Sequence, residues 1–283
     1  MIKLENVNLN LKDTITCGQI FRFKEEFDSY TVILSDRVVN LKMDNDTLIV
    51  KSNNEENLDS VIRSYLDLDR DYDLINKKII EYDNNFKSII DECSGFKMIN
   101  QPKFECLISY IISQNNRVTM ISKVLDNISK KYGKKVIFEG NEYYLFPTFD
   151  EIKDCTVEDL RELKTGFRDK YIYEIIQKIK NNEFNLDLIN DMDSECALKY
   201  LMNNKGIGEK VASCILLFAY FKTDVYPIDT WVKKYMLDEF NINNIKDIRK
   251  YTNNTYKEYS GLAIQYMFHV KRNKSWHKLF NYI

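Results

Sequence analysis

The 283-residue chain is 44% hydrophobic and 30% charged, which is enough apolar material for a substantial core and excludes a largely disordered protein. Its formal charge of −2 excludes a uniformly basic nucleic-acid binder, and its 8 glycines, against about 20 for typical usage, make each glycine a position to inspect. Length alone permits one large domain or two.

Residues 1–10 alternate polar and apolar side chains and carry no basic segment followed by an apolar signal core. Tyr30, Val32 and Leu34 alternate with Thr31, Ile33 and Ser35, and the apolar runs 38–41 and 48–50 flank the turn-like Asp44-Asn45-Asp46. Residues 1–51 are therefore expected to form a small antiparallel sheet. Near residue 55 the period becomes helical: Leu58, Val61, Ile62 and Tyr65 share one face, and Leu74, Ile75, Ile79 and Tyr82 another. Between them Asp67, Asp69, Asp71 and Asp73 alternate as calcium ligands do. Tyr72 at the loop's glycine position and Lys78 at its bidentate-glutamate position defeat that ligand set.

Pro102 can open a helix, because its absent N–H would have no partner there, and Phe104, Leu107, Ile108, Ile111 and Ile112 form its stripe. Gln114, Asn115, Asn116 and Arg117 interrupt this stripe before Val118, Ile121, Val124, Leu125 and Ile128 resume it. The amides are either a plain helix break or paired donors and acceptors suited to base edges. Further helices are expected near 156–163, 168–181 and 193–203, with Pro147 and Gly166 at boundaries.

Charge changes sign along the chain: residues 1–95 hold 12 Lys and Arg against 19 Asp and Glu, and the remainder holds 29 against 24. In 115–135, Arg117, Lys123, Lys130, Lys131, Lys134 and Lys135 stand against Asp126 alone. No acid follows Glu258, so Lys271, Arg272, Lys274 and Lys278 form a basic tail that either contacts phosphate or is a solvated face. The six cysteines are scattered without a C-x-x-C pair, and only His269 and His277 could add imidazole. That pattern argues against a disulfide framework, a zinc site and an iron–sulfur cluster. No apolar run approaches a membrane span of about 20 residues, so a soluble cytoplasmic protein is expected.

The stretch Asn204-Lys205-Gly206-Ile207-Gly208-Glu209-Lys210 places a Gly-Ile-Gly hairpin between a helix over 193–203 and one starting near Glu209. It is either an ordinary tight turn or an anion seat, where glycine admits a phosphate to the bare N–H groups of a helix start. Lys210 opens an otherwise apolar helix, where partial burial and the positive helix end would favour a neutral amine able to attack a sugar carbon and form a Schiff base. The plainer alternative is a surface lysine. Asp229, in Pro227-Ile228-Asp229-Thr230-Trp231, precedes the helical residues 232–240. It is placed either as a simple N-cap or as a carboxylate facing Lys210 that stabilises oxocarbenium charge, as in glycoside hydrolysis.

In combination these motifs resemble the helix-hairpin-helix base-excision glycosylases with the Gly-Pro-Asp signature, most closely the 8-oxoguanine DNA glycosylases. The resemblance rests on G-I-G-E-K-V-A at 206–212, V-Y-P-I-D-T-W at 225–231 and G-L-A-I-Q-Y-M-F-H at 261–269. Upstream, G-Q-I-F-R-F at 18–23, Y-L-D-L-D at 65–69, P-K-F-E-C-L-I-S-Y-I-I-S-Q-N-N at 102–116 and K-T-G-F-R-D-K-Y at 164–171 extend it over nearly the whole chain. It implies an α+β fold: an N-terminal twisted antiparallel sheet domain with flanking helices over 1–90, then an all-helical region over 91–283 with its hairpin at 203–212. The activity it implies is a bifunctional DNA glycosylase/AP lyase. Such an enzyme flips 8-oxoguanine out of duplex DNA, expels it through a lysine Schiff base and nicks the strand by β-elimination.

On that resemblance Lys210 matches the nucleophile and Asp229 the catalytic aspartate. Gly18 matches the residue whose carbonyl accepts the N7–H of 8-oxoguanine, where guanine would present a lone pair to a lone pair. Cys214 and Phe268 match the residues that sandwich the base, and Cys214 lies four residues after Lys210 on the same helix face. Asn115 and Arg168 match contacts to the orphaned cytosine, and the backbone of Gly206 and Gly208 matches the phosphate seat. The carbonyls of Met202, Asn204 and Ile207 match a structural cation site beside DNA; no cofactor is required and no iron–sulfur cluster is expected.

The sequence departs from the family at four positions. Ile264 replaces the glutamine that reads the base's Watson–Crick edge, with Gln265 one residue later. Met120 stands where animal and fungal relatives place a cytosine-reading arginine, Phe167 where they place a wedging tyrosine, and Trp231 where the animal enzymes place a phosphate-contacting histidine. Methionine cannot make the arginine's hydrogen bonds, so a weaker preference for cytosine is expected. The implied partner is damaged double-stranded DNA, met by a monomer without a membrane in a bacterial or archaeal cytosol at the nucleoid, or in a eukaryotic nucleus. The alternatives are an alkylated-purine glycosylase of the same superfamily, which typically lacks the hairpin lysine, and a non-catalytic hairpin DNA-binding module, which would leave Lys210, Asp229, Cys214 and Phe268 coincidental.

Overall fold

The computed structural model describes residues 1–280, with side chains as far as Arg272; Lys274 and Lys278 of the basic tail, and His277, lie outside the described side chains. The first elements are β1 (Ile2–Leu4), α1 (Leu11–Thr16), β2 (Phe23–Glu25), β3 (Tyr30–Ile33), β4 (Val38–Asp44) and β5 (Thr47–Ser52). The strands form one antiparallel sheet in the order β1-β5-β4-β3-β2. Asp44 pairs with Thr47 across a two-residue turn in which Asn45 takes a left-handed φ of 54°, the conformation a tight hairpin needs. Val32, Leu41, Leu48 and Val50 alternate onto the buried face and pack against Ile15, Leu58 and Ile62. The short α1 is an addition to the strands expected here: Asn10 caps it by accepting from the Asp13 N–H at 3.0 Å, and Leu11, Thr14 and Ile15 turn inward.

Next come α2 (Leu58–Tyr65), α3 (Tyr72–Tyr82) and α4 (Lys87–Glu92). Three aspartates of the acidic run, Asp67, Asp69 and Asp71, are engaged by local pairing. Asp67 accepts from Arg70 at 2.6 Å and from the Tyr72 hydroxyl at 2.8 Å, Asp69 pairs with Arg63 at 2.9 Å, and Asp71 caps α3. On α3, Tyr72, Ile75 and Ile79 are buried while Leu74, expected on the same face, is exposed. Tyr72, Ile75, Ile79, Phe86 and Ile89 join the core of the later helices, whereas the sheet's core ends at Leu66 apart from Ile99. The apolar cores therefore divide near residue 70.

The second region holds α5 (Lys103–Ser113), α6 (Val118–Tyr132), β6 (Lys135–Phe138), β7 (Asn141–Tyr144), α7 (Phe149–Ile152), α8 (Val157–Glu162), α9 (Asp169–Lys180), α10 (Ser194–Met202), α11 (Glu209–Tyr220), α12 (Thr230–Phe240), α13 (Ile245–Tyr256) and α14 (Ser260–Phe280). It is not all helical. β6 and β7 form a hairpin that turns at Glu139 and Gly140, both with positive φ, and its Phe138 and Leu145 pack against Val38 of the sheet. Pro102 caps α5 instead of opening it, so the helix starts one position later than expected, at Lys103. α5 and α11 are largely buried and face each other, with Tyr110 and Phe218 stacked at 5.6 Å between ring centroids. The α10–α11 hairpin is thus mounted on a rigid pair. Arg22 fastens the sheet to this region, donating to Glu105 at 3.3 Å and to the Tyr144 carbonyl at 2.5 Å.

Candidate active site and DNA-facing surface

The two hairpin glycines serve different ends. Gly206 has a left-handed φ of +79°, and a Cβ there would come 2.4 Å from Cγ of Tyr171, so no other residue fits. A Cβ on Gly208 would meet nothing within 4 Å. Gly208 caps α11 without any side-chain hydrogen bond, so the first N–H groups of α11 remain open to an anion. Gly206→Ala is accordingly expected to lower the thermal midpoint by several degrees through strain of about 1–3 kcal/mol. Gly208→Ala should leave the midpoint within about 2 °C while weakening duplex binding. Thermal melts and binding titrations of the two variants would show it, and equal midpoints would contradict the division of roles.

Lys210 is exposed in the first turn of α11, which corrects the expected partial burial. Its neighbour Glu209 is engaged elsewhere, paired with Arg249 at 2.7 Å. One turn on, Cys214 is buried, and its thiol is pushed up to about 12 chiefly by that burial; Lys210 pulls it down and Asp229 pushes it up. Both charges therefore bear on the same thiol, which stays neutral at ordinary pH. Asp229 caps α12 through one oxygen, which accepts from the Trp231 and Val232 N–H groups at 2.9 Å each. Its other carboxylate oxygen makes no hydrogen bond among the described residues. The cap and the free oxygen are thus compatible, and the first fixes where the second points. Trp231 is half-buried beside it.

At the far end, Gly18 takes a φ of +92° and lies against Phe268, whose Cε1 is 3.8 Å from the position of a Cβ. Ile264 is 1% exposed and belongs to the core, which removes it from any base-reading role. Gln265 is buried and donates Nε2 to the Cys17 sulfur at 3.9 Å, next to Gly18. Of the described tail, Lys271 pairs with Asp238 at 2.7 Å and Arg272 donates to the Thr16 carbonyl at 3.1 Å, so both are held by protein groups.

The polar interruption after α5 divides by orientation. Gln114 donates to the Gly206 carbonyl at 2.8 Å, tying α5 to the hairpin, and Asn116 bonds the Ile112 carbonyl at 3.2 Å. Only Asn115, exposed with a left-handed φ of 47°, and the exposed Arg117 face outward. Arg168, expected to contact the orphaned cytosine, is buried in this structure: both Nε and Nη2 donate to the Gln114 carbonyl and Nη1 to the Thr165 carbonyl at 3.2 Å. It braces the loop that presents Asn115. Beside it stand three exposed apolar side chains, Phe167 at 56%, Val118 at 50% and Met120 at 39%. Val118 had no sequence signal apart from its place at the restart of the apolar stripe.

Around the hairpin, Met202 is exposed, the Asn204 carbonyl accepts from the Ile207 N–H at 3.1 Å, and the Asn204 side chain accepts from Lys178 at 3.0 Å. Among the described residues no group of three His, Cys, Asp or Glu is placed to hold a metal, and no helix is long and apolar enough to cross a membrane.

Residues 1–107 match the family described as 8-oxoguanine DNA glycosylase, N-terminal domain. The apo crystal structure of Clostridium acetobutylicum 8-oxoguanine glycosylase/lyase is 37% identical, with a TM-score of 0.89 over 94% of this chain and 95% of that one. The same enzyme bound to double-stranded DNA with cytosine opposite 8-oxoguanine gives 0.88 at 36% identity, over 95% of this chain and 93% of that one. The N-glycosylase/DNA lyase of Saccharomyces cerevisiae is 26% identical over 279 residues, 88% of this chain and 74% of the yeast protein. The 3-methyladenine DNA glycosylase of Archaeoglobus fulgidus shares the fold at 22% identity and a TM-score of 0.78, covering 96% of this chain and 99% of that one.

Proposed function

The chain belongs to the 8-oxoguanine DNA glycosylase/lyase family, and from that premise we infer that Lys210 and Asp229 carry its chemistry. The protein is a bifunctional enzyme that excises 8-oxoguanine from duplex DNA and nicks the strand. The observation that carries the assignment of the two residues is the Asp229 oxygen left unshared by the α12 cap, together with Lys210 exposed in the first turn of α11 one turn before the buried Cys214.

In this reading the Lys210 amine attacks C1′ of the flipped nucleotide while the C1′–N9 bond breaks and 8-oxoguanine leaves with the electron pair and a proton. The free Asp229 oxygen balances the positive charge that builds on the sugar. Ring opening gives the imine, loss of a C2′ proton expels the 3′ phosphate, and water then releases Lys210. Exposed as it is, Lys210 gains the dry surroundings this attack needs from the nucleotide that covers it.

Gly18 reads N7–H through its carbonyl, Cys214 and Phe268 hold the base faces, and the α11 N-terminus at Gly208 holds a backbone phosphate, with Trp231 beside it. Phe167, Met120 and Val118 fill the gap left by the flipped base, with Asn115 toward the orphaned partner. The carbonyls of Met202, Asn204 and Ile207 suit a weakly held cation, which would anchor a phosphate. They are neutral and the Lys178 ammonium lies close by, so a DNA phosphate must supply the balancing charge. In this reading the enzyme acts on duplex DNA as a monomer.

Duplexes carrying one 8-oxoguanine opposite each of the four bases test this reading by single-turnover release of the free base. Release is expected in all four contexts, within about tenfold of one another, because a base-reading arginine pair worth roughly 1–3 kcal/mol of discrimination has methionine in its place. Strict dependence on cytosine would contradict the roles given to Met120 and Phe167. Release of 3-methyladenine in place of 8-oxoguanine would contradict the substrate.

A further inference from the structure

One stripe of α14 grips the segment that carries Gly18. Gln265 donates to the Cys17 sulfur at 3.9 Å, His269 Nε2 lies 3.3 Å from an Asp13 oxygen, and Arg272 Nη1 donates to the Thr16 carbonyl at 3.1 Å. These residues stand at i, i+4 and i+7, the spacing of one helix face, and Phe268 stands among them against Gly18. Asp13 is itself held by the Asn10 amide at 2.8 Å.

The two sides of Gly18 are anchored by different means. Toward the C-terminus, Gln19 is locked into the core: its carbonyl accepts from Gln101 at 2.7 Å and Tyr110 at 3.1 Å, and its side chain bonds the Lys97 carbonyl and the Ile99 N–H at 2.9 Å each. Toward the N-terminus lies Thr16, the last residue of α1, whose carbonyl has no partner within that short helix. Arg272 fills it with a charge-assisted hydrogen bond. The same guanidinium packs on Gly18, where a Cβ would come 2.8 Å from Nη1. The φ of +92° favours glycine, and a Cβ there would displace that guanidinium.

We propose that Arg272 is a specificity-determining positioning residue that fixes the Gly18 carbonyl relative to Phe268, and so sets how well 8-oxoguanine is told from guanine. The inference rests on the reading of Gly18 as the lesion reader. A carbonyl that discriminates by one hydrogen bond must be held to about 0.5 Å. Without Arg272 the strand between Thr16 and Gly18 can swing about the fixed Gln19, while Lys210 and Asp229, on other elements, stay in place.

The test compares wild type, Arg272→Met and Arg272→Lys in two single-turnover assays: release of 8-oxoguanine, and nicking of a duplex with a preformed abasic site, which needs Lys210 but no base reader. Arg272→Met is expected to lose about tenfold or more in base release with abasic nicking within about twofold. Arg272→Lys should recover most of the release, since a lysine can still donate to the Thr16 carbonyl. Parallel loss in both assays, or unchanged release by Arg272→Met beside an active wild type, would overturn the clamp alone. Wild type that nicks abasic duplex but releases no 8-oxoguanine would overturn the reading of Gly18 and the clamp with it.

Discussion

Lys210→Gln is expected to lower single-turnover nicking of an 8-oxoguanine duplex by at least about 10⁴-fold while leaving duplex binding within a few-fold. Glutamine is close in length but its amide nitrogen has no nucleophilic lone pair, so neither base expulsion through the amine nor the imine can follow. The side chain is exposed, its neighbour Glu209 pairs with Arg249, and the ammonium makes no hydrogen bond or ion pair among the described residues. The thermal midpoint should therefore stay near that of wild type, as for other exposed substitutions. Nicked strand quantified from rapid-quench time courses gives the rate directly. Residual nicking within tenfold of wild type would mean that another amine or water opens the sugar, with the exposed Lys205 the nearest candidate in sequence.

Asp229→Asn should fall about 10²–10³-fold in base excision, the range for removing one group that stabilises charge developing in a transition state. The substitution separates the two jobs of this residue. Asparagine is as good an N-cap as aspartate, and its oxygen can still accept from the Trp231 and Val232 N–H groups, so α12 keeps its start. What disappears is the negative charge on the unshared oxygen. Asp229→Ala removes the cap as well, and is expected to lose a further ~1 kcal/mol of stability. Excision rates and thermal melts on both variants decide the matter. Full activity in Asp229→Asn would reduce this carboxylate to a helix cap.

Much of the fold was legible because its signals are periodic over enough residues. Tyr30, Val32, Leu41 and Val50 alternate onto one sheet face, and the α5 and α11 stripes are long and apolar. The missed elements are the short ones. α1 shows only Leu11, Thr14 and Ile15 to the core, too few to define a period, and β6 and β7 are four-residue strands that are largely exposed. The division of the cores near residue 70 was hidden because α3 and α4 follow the sheet in sequence but bury Ile75, Ile79 and Ile89 against later helices.

The candidate site was open to the sequence as proposed positions, less so as side-chain states. The resemblance implies Lys210, Asp229, Gly18 and Phe268, and Lys210 is exposed because α11 presents its first turn beyond the core. Arg168 falls at a motif position and still spends its guanidinium on the Gln114 and Thr165 carbonyls. Helix phase separates Ile264, which turns into the core, from Gln265, which turns toward Cys17; a one-residue offset in sequence is about 100° around α14. The Arg272 contact with Gly18 joins residues 254 positions apart, beyond what local pattern can register.

The central claim is that the Lys210 amine becomes covalently joined to the sugar it frees of 8-oxoguanine. Borohydride reduces an imine to a stable secondary amine, so it arrests the enzyme on its substrate. Wild-type protein incubated with an 8-oxoguanine duplex and borohydride is expected to form a protein–DNA adduct whose peptide mapping places the sugar on Lys210. No adduct, or an adduct on any other lysine, would contradict it.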